Sequence, residues 1–358
     1  MKRIPVILTL LMLVSCLKED SLKQDYKSFV PPQTGDGWTV GSCAANKVDS
    51  LALDAVYKGI YENDELWSMK SLLVIRNGEL LAESYLKDDM DRYQVQAVWS
   101  CTKQVMALLA GKLVDDNDLF LTDILEQHLP NYTSQHRDKA DITMKNLLEM
   151  RSGIGFYNDD HSDVFRKKKC DNSLEFVLGL PLDHRPGTYF NYNDGDPQLL
   201  SGVFQAITGK KTDVWANEVL FSTLNIRNLS WYRYKDGYTL GAFGIMTTAR
   251  ELSKFGRLVL DSGAVDSNQV ISRDWIRDML KPVCRLENHD NIYMGHYWWT
   301  NTVKDYHFMW GHGGQYVFVI PSKNAVVTIT GLEEVEDGHQ VSVEQATDIV
   351  DRVVACMF

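Results

Sequence analysis

The chain has 358 residues, 44% of them hydrophobic, and a formal net charge of −11. That length and apolar content suit one large domain or two intimately joined ones around a sizeable core. The acidic balance argues against nucleic acid as a partner and offers no basic patch for anionic lipid.

The first residues, MKRIPVILTLLMLVSC, place two basic residues before an apolar run too short to span a bilayer comfortably. This is a secretory signal peptide over residues 1–15. Leu13-Val14-Ser15-Cys16 resembles the lipobox of bacterial lipoproteins, which implies cleavage before Cys16, a diacylglycerol on its thiol and stable attachment to a membrane. Lys18-Glu19-Asp20 resembles an acidic export tag that sends some lipoproteins to the outer face of the outer membrane. The expectation is an exported lipoprotein of the bacterial cell envelope; the alternative is a periplasmic or secreted protein cut nearby. Leu17 to Gly41 is polar, with Pro31 and Pro32, and reads as a tether that need not fold, giving a lipidated N-terminus and tether over 16–45. Of the six cysteines, five follow Cys16, an odd number for an oxidising compartment. Cys101 is the candidate free thiol, and Cys43 and Cys356 can pair if the ends of the folded part meet. No cysteine spacing points to zinc.

Val48 to Tyr61 has helical periodicity, and SLLVIRNGELLAESYL then alternates around Asn77-Gly78, a hairpin signal. From Asp115 to about Tyr234 the chain reads as helices and loops. An amphipathic helix, ARELSKFGRLVL, comes next. Strand-like runs IYMGHYWWTN, YHFMWGH, YVFVIPS and AVVTITGL follow, and VEQATDIVDRVVACMF closes the chain as a helix. Strands at both ends with helices between them predict one antiparallel sheet from residues 46–115 with 235–358, and a helical lobe over 116–234.

Between hairpin and lobe lies VWSCTKQVMALLAGKLV, where Ser100 and Lys103 stand one turn apart at the start of an apolar run. On a helix they share a face, so the amine can reach the hydroxyl. Desolvation disfavours an ammonium, which points to a neutral Lys103 able to take the proton of a nucleophilic Ser100. The unpaired N–H groups of the first turn would stabilise an oxyanion. Ser-x-x-Lys is a weak signal by itself, since a serine there commonly caps its helix. Ser84 and Lys87 share the spacing but fall in a strand-like run, where positions three apart point to opposite faces. Two further stretches bear on the chemistry: Pro186 to Asp196, PGTYFNYNDGD, and Trp310-Gly311-His312-Gly313-Gly314-Gln315, whose glycines would let a ligand approach the strand backbone. Trp298, Trp299, Trp310 and Tyr316 read as an aromatic wall or as core.

In order and wording these stretches resemble the serine β-lactamase and penicillin-binding protein superfamily. The likeness is to the branch of class C β-lactamases, D-Ala-D-Ala carboxypeptidases, esterases and nylon-oligomer hydrolases, and it runs from about Leu72 to the C-terminus. Ser100-Cys101-Thr102-Lys103 matches the first motif, Tyr192-Asn193-Asp194 stands in the place of Tyr-x-Asn, and His312-Gly313-Gly314 matches Lys/His-x-Gly. A literal Tyr-x-Asn at Tyr189-Phe190-Asn191 is set aside because it displaces the Pro186-Gly187-Thr188 lead-in.

The resemblance implies an α/β (α+β) fold of the β-lactamase/transpeptidase type, an antiparallel sheet flanked by helices with an inserted all-helical lobe. It implies a nucleophilic Ser100, Lys103 or Tyr192 as base, His312 orienting Tyr192, and an oxyanion hole from the backbone N–H groups of Ser100 and Gln315. Asp194, Gly313, Gly314 and Tyr316 would contact a small-molecule or peptide substrate, with no metal or organic cofactor. Asp194 in place of asparagine cannot donate a hydrogen bond when ionised, and His312 replaces a lysine. Both departures point to an amidase, peptidase or esterase rather than a β-lactamase. The alternative is a catalytically silent surface lipoprotein that binds peptidoglycan fragments or a partner.

Overall fold

Nine strands share one sheet: β1 (Thr39–Val40), β2 (Met69–Arg76), β3 (Glu79–Tyr85), β4 (Cys284–Arg285), β5 (Ile292–Met294), β6 (Trp299–Asn301), β7 (Tyr306–Gly311), β8 (Gln315–Ile320) and β9 (Ala325–Gly331). Their spatial order is β1-β3-β2-β9-β8-β7-β6-β5-β4, so the two ends of the chain meet where β9 lies between β2 and β8. Every adjacent pair is antiparallel except β1 with β3. This computed structural model describes residues 23–334 and 339–358. The expected signal peptide and Cys16 lie outside them.

Asn77 and Gly78 both take positive φ, 50° and 85°, the pair of left-handed residues that closes a two-residue hairpin between β2 and β3. Both faces of the sheet centre are covered, and all residues of β8 and β9 are buried. Along β8 the side chains alternate. Val317 meets Gly256 of the helix Ala249–Leu260, which has no side chain to hold that helix off the sheet. Tyr316 points the other way and donates to the Val341 carbonyl at 3.0 Å, beside the C-terminal helix Val343–Ala355. The run IYMGHYWWTN is two strands rather than one. Tyr297 has φ 61°, and the reversal it makes pairs Met294 with Trp299.

The helix Cys101–Asp115, here α1, lies inside the molecule, with Cys101 to Gly111 all buried. It approaches the helix Arg273–Met279 so closely that a Cβ at Gly111 would lie 2.2 Å from the Trp275 ring, whose Nε1 donates to the Ala107 carbonyl at 3.0 Å. The helix Gly195–Thr208, here α2, packs on its other side. A second sheet, absent from the sequence expectations, joins Gln96–Ala97, Ile245–Thr247 and Leu229–Trp231. Its last strand falls within the stretch expected to be helices and loops.

The expected tether is packed from Lys23 onward. Phe29 and Trp38 are buried, the Glu83 amide donates to the Phe29 carbonyl at 2.8 Å, and β1 joins the sheet. Arg250, 2% exposed, anchors the segment by binding the Pro32 carbonyl, the Thr34 hydroxyl and Asp36 while its other edge grips the buried Glu83. Polar composition concealed these anchors. The chain ends do meet, through Asp49 N–H to the Cys356 carbonyl at 2.8 Å, but Cys43 and Cys356 both carry free thiols. Cys101 is a fully buried free thiol, and burial pushes its pKa up.

Candidate active site

The small sheet delivers the chain to the head of α1, where the Val98 amide donates to the Ile245 carbonyl at 3.1 Å. Trp99 then takes φ 48°, a left-handed conformation costly for a bulky side chain. It is held there by a hydrogen bond from its indole Nε1 to the Glu333 carbonyl at 3.0 Å and by ring contacts with Phe243 and His312. The turn sets Ser100 at the N-cap of α1, yet its hydroxyl caps nothing. Instead Ser100 Oγ accepts from Lys103 Nζ at 2.9 Å.

Lys103 is fully buried. Its three N–H groups reach Ser100, Asp194 Oδ1 at 2.7 Å and the Ala242 carbonyl at 3.0 Å. Burial pulls its pKa down, but the Asp194 carboxylate and Tyr192 outweigh this and hold it above the ordinary lysine value. Desolvation alone favours the neutral amine expected from the sequence; the Asp194 carboxylate, brought from another part of the chain, opposes it. The other oxygen of Asp194, Oδ2, accepts from Ser162 Oγ at 2.5 Å.

Tyr192 is half-buried, with Lys103 Nζ 5.0 Å from its ring centroid and the Trp299 ring 5.7 Å away. Its loop is fixed by the Asn191 amide to the Met150 carbonyl at 3.0 Å and the Asn191 side chain to the Phe156 carbonyl at 2.8 Å. Tyr189, from the alternative register, is half exposed and stacks on His184.

His312 sits at the β7–β8 turn, edge-on to Trp99 at 5.6 Å between centroids. Gly313 and Gly314 have φ 75° and 86°. A Cβ on Gly313 would lie 2.3 Å from the Leu332 carbonyl and one on Gly314 2.9 Å from Val341, so glycine at these positions lets the chain pack closely at Leu332 and Val341. Tyr316, expected at the substrate, is 1% exposed: it packs beside its cross-strand partner Trp310 and donates to the Val341 carbonyl, so it is core. The Gln315 side chain is buried between Gln96 and the Gly331 carbonyl, and Cys101 Sγ donates to the Gln315 carbonyl at 3.5 Å, tying α1 to β8. A Cβ at Gly311 would lie 2.2 Å from the Val98 carbonyl, so glycine there lets the nucleophile turn press against the end of β7.

Ser100, Tyr192, Asp194 and His312 line one cleft of about 670 Å³, a size suited to a small molecule or short peptide. Trp299 and Trp310 form its aromatic wall, whereas Trp298 is core. Sequence reasoning missed Asn158, Asp159, Ser162 and Arg166, which reach the cleft from the helix Asn158–Arg166. No motif marks that helix. Among the described residues, no three His, Cys, Asp or Glu side chains gather into a metal-binding group.

A helix-borne serine and lysine beside a long sheet, with a tyrosine loop and a strand-end histidine on the same cleft, define the architecture of penicillin-recognising serine enzymes and their relatives. The chain belongs to the Beta-lactamase family, whose model matches residues 69–331. It is 23% identical over 228 residues to the 6-aminohexanoate-dimer hydrolase of Paenarthrobacter ureafaciens, covering 59% of this chain and 56% of that one. The chain thus spans about half the length of the curated relatives it matches. Among solved structures it resembles a penicillin-binding protein homologue from Caulobacter crescentus, with TM-score 0.67, 14% identity and coverage of 89% and 99% of the two chains. A D-stereospecific amidohydrolase from a Streptomyces species gives TM-score 0.62 at 16% identity, covering 87% and 98%. These structural likenesses show the fold.

Proposed function

We propose that the protein is a serine hydrolase that cleaves a small amide or ester through an acyl-Ser100 intermediate. The observation that carries this is the 2.9 Å approach of Lys103 Nζ to an Ser100 hydroxyl that is not spent on capping, in a cleft shared with Tyr192 and His312. Ser100 Oγ attacks the carbonyl carbon and its proton passes to a neighbouring base, Lys103 or Tyr192. The N–H groups of Ser100 and Gln315 receive the oxyanion, each such donor being worth roughly 3 kcal/mol. Tyr192 then protonates the leaving group and helps activate the water that releases the acyl group. His312 supplies polar or positive character towards a substrate carboxylate. Two relatives, one named a 6-aminohexanoate-dimer hydrolase and the other a D-stereospecific amidohydrolase, support an amide substrate. Asp194, with both oxygens engaged by Lys103 and Ser162, has no donor for a β-lactam amide, which favours amidase or esterase chemistry.

The test is side-by-side turnover of nitrocefin, p-nitrophenyl acetate, D-amino-acid amides and 6-aminohexanoate dimer by wild type and Ser100→Ala. The hydrolase reading requires at least one substrate cleaved by wild type alone. A silent binding protein would cleave none and would bind ligand equally well with Ser100→Ala.

We further propose that the enzyme works at the surface of the bacterial envelope, held by a lipid on Cys16. Support comes from the Leu13-Val14-Ser15-Cys16 sequence. Cys16→Ser should move the protein from the membrane to the soluble fraction. Unchanged membrane association would rule out the anchor.

A further inference from the structure

Independently of the hydrolase reading, we infer that a second cavity, on the sheet face away from Trp310, is a binding site for a small apolar anion that carries a hydrogen-bond donor. This cavity of about 600 Å³ is nearly as large as the cleft at Ser100 and shares no lining residue with it. Its floor is the cross-strand pair His307 and Val319 of β7 and β8. His307 stands three residues before the cleft-lining Trp310 on one strand, so their side chains point to opposite faces. One wall is the end of the helix Ala249–Leu260, which packs on this face where Gly256 meets Val317. The other is the helix Arg273–Met279 with the chain that follows it.

Ile276, Leu280, Val319 and Pro321 give the cavity an apolar lining, and Arg273, Arg277 and Lys281 stand beside them against one carboxylate, Asp278. Arg277 is already paired with Asp274 at 2.8 Å, but among the described residues Arg273 and Lys281 have no ion pair. In a chain of net charge −11, two such cations next to apolar side chains fit a ligand that is anionic at one end and apolar at the other. Local structure does not call for the Arg273 charge, since the first turn of a helix disfavours a cation. His307 adds the need for a donor. Thr300 Oγ1 donates its one proton to the Leu280 carbonyl at 3.0 Å, so in its 2.9 Å contact with His307 it accepts from Nδ1–H. The neutral ring then carries its lone pair on Nε2, which has no hydrogen bond among the described residues. Burial holds this ring below the ordinary histidine pKa, so the neutral form is the one a ligand meets at about pH 7. A ligand hydroxyl or amine N–H donates to Nε2 while its acidic group pairs with Arg273 and Lys281.

Anilinonaphthalene sulfonate, with its aromatic rings, one sulfonate and one amine N–H, is the probe. Fluorescence titration of the full chain should show saturable binding, and it needs no turnover, so it succeeds or fails whatever becomes of the hydrolase reading. Charge reversal at the exposed pair, Arg273→Glu with Lys281→Glu, should raise Kd by about 10-fold or more. The second measurement is the imidazole ¹⁵N spectrum of histidine-labelled protein, with His307→Gln for assignment. The His307 Nε2 resonance should move as the probe is added. Absence of binding overturns the inference, and so does binding that charge reversal leaves unchanged. A His307 resonance that stays in place overturns it as well, even if the doubly substituted chain does not fold.

Discussion

Trp99 and Lys103 carry the chemistry in different ways, one through backbone strain and the other through charge. The left-handed Trp99 lifts the Ser100 hydroxyl out of a capping role, and Lys103 then supplies the hydrogen bond that orients it. Lys103→Met removes that donor and leaves Asp194 buried with Ser162 but without a cation. It should lower kcat/KM by about 10²-fold or more and stability by about 3 kcal/mol, read by steady-state kinetics and urea unfolding. Ser-x-x-Lys could be found in the sequence because helix spacing fixes which residues face each other. The ion pair with Asp194 could not, since nothing local ties residue 103 to residue 194. Tyr316 shares a sheet face with the cleft-lining Trp310, but what covers it, the chain at Val341, is set by the tertiary fold and leaves no local signal.

At the scale of elements, the site depends on segments that press backbone against backbone. Val98 meets Gly311, and Leu332 meets Gly313, so α1, the β7–β8 turn and the segment after β9 lock together. The helix Ala249–Leu260 holds the opposite edge through Arg250, whose pairing with Glu83 and Asp36 fastens residues 32–36 to the sheet. Arg250→Ala leaves the buried Glu83 with Arg92 as its one remaining cation, and the expected cost is about 3 kcal/mol. Limited proteolysis should then cut between residues 23 and 41 before any other site, whereas unchanged resistance would show that the segment holds by its aromatic anchors alone. The β2–β3 hairpin and α1 could be read from turn residues and apolar spacing. Strands of two or three residues, as in the small sheet, are too short to show a period, and the reversal at Tyr297 was hidden because an apolar tyrosine there looks like continued strand.

For the molecule as a whole, strands near both ends and helices between them correctly predicted one large sheet with the chain ends brought together. The polar N-terminal stretch misled, because three aromatic residues in it outweigh its composition. Acid stability involves two buried groups with opposite sign. Burial pushes His296 down to about 4, so the stability it contributes is complete above the ordinary histidine range and is lost as pH falls towards 4. Burial pushes Asp196 up to about 7, so its contribution is present at low pH and is lost as pH rises through 7. Between about pH 4 and about pH 6.5 the two slopes, each near 1.4 kcal/mol per pH unit, offset one another. Asp196→Asn removes one of them, and its urea midpoint should rise with pH across that window more steeply than that of wild type. Parallel profiles would mean that Asp196 is already ionised in the folded protein.

The central claim is that Ser100 is the residue that becomes acylated, and covalent trapping tests it most directly. Wild type incubated with a fluorophosphonate probe, digested and mapped by mass spectrometry, should carry one adduct on the peptide containing Ser100, and Ser100→Ala should carry none. An adduct on another residue, or equal labelling of Ser100→Ala, would contradict the account.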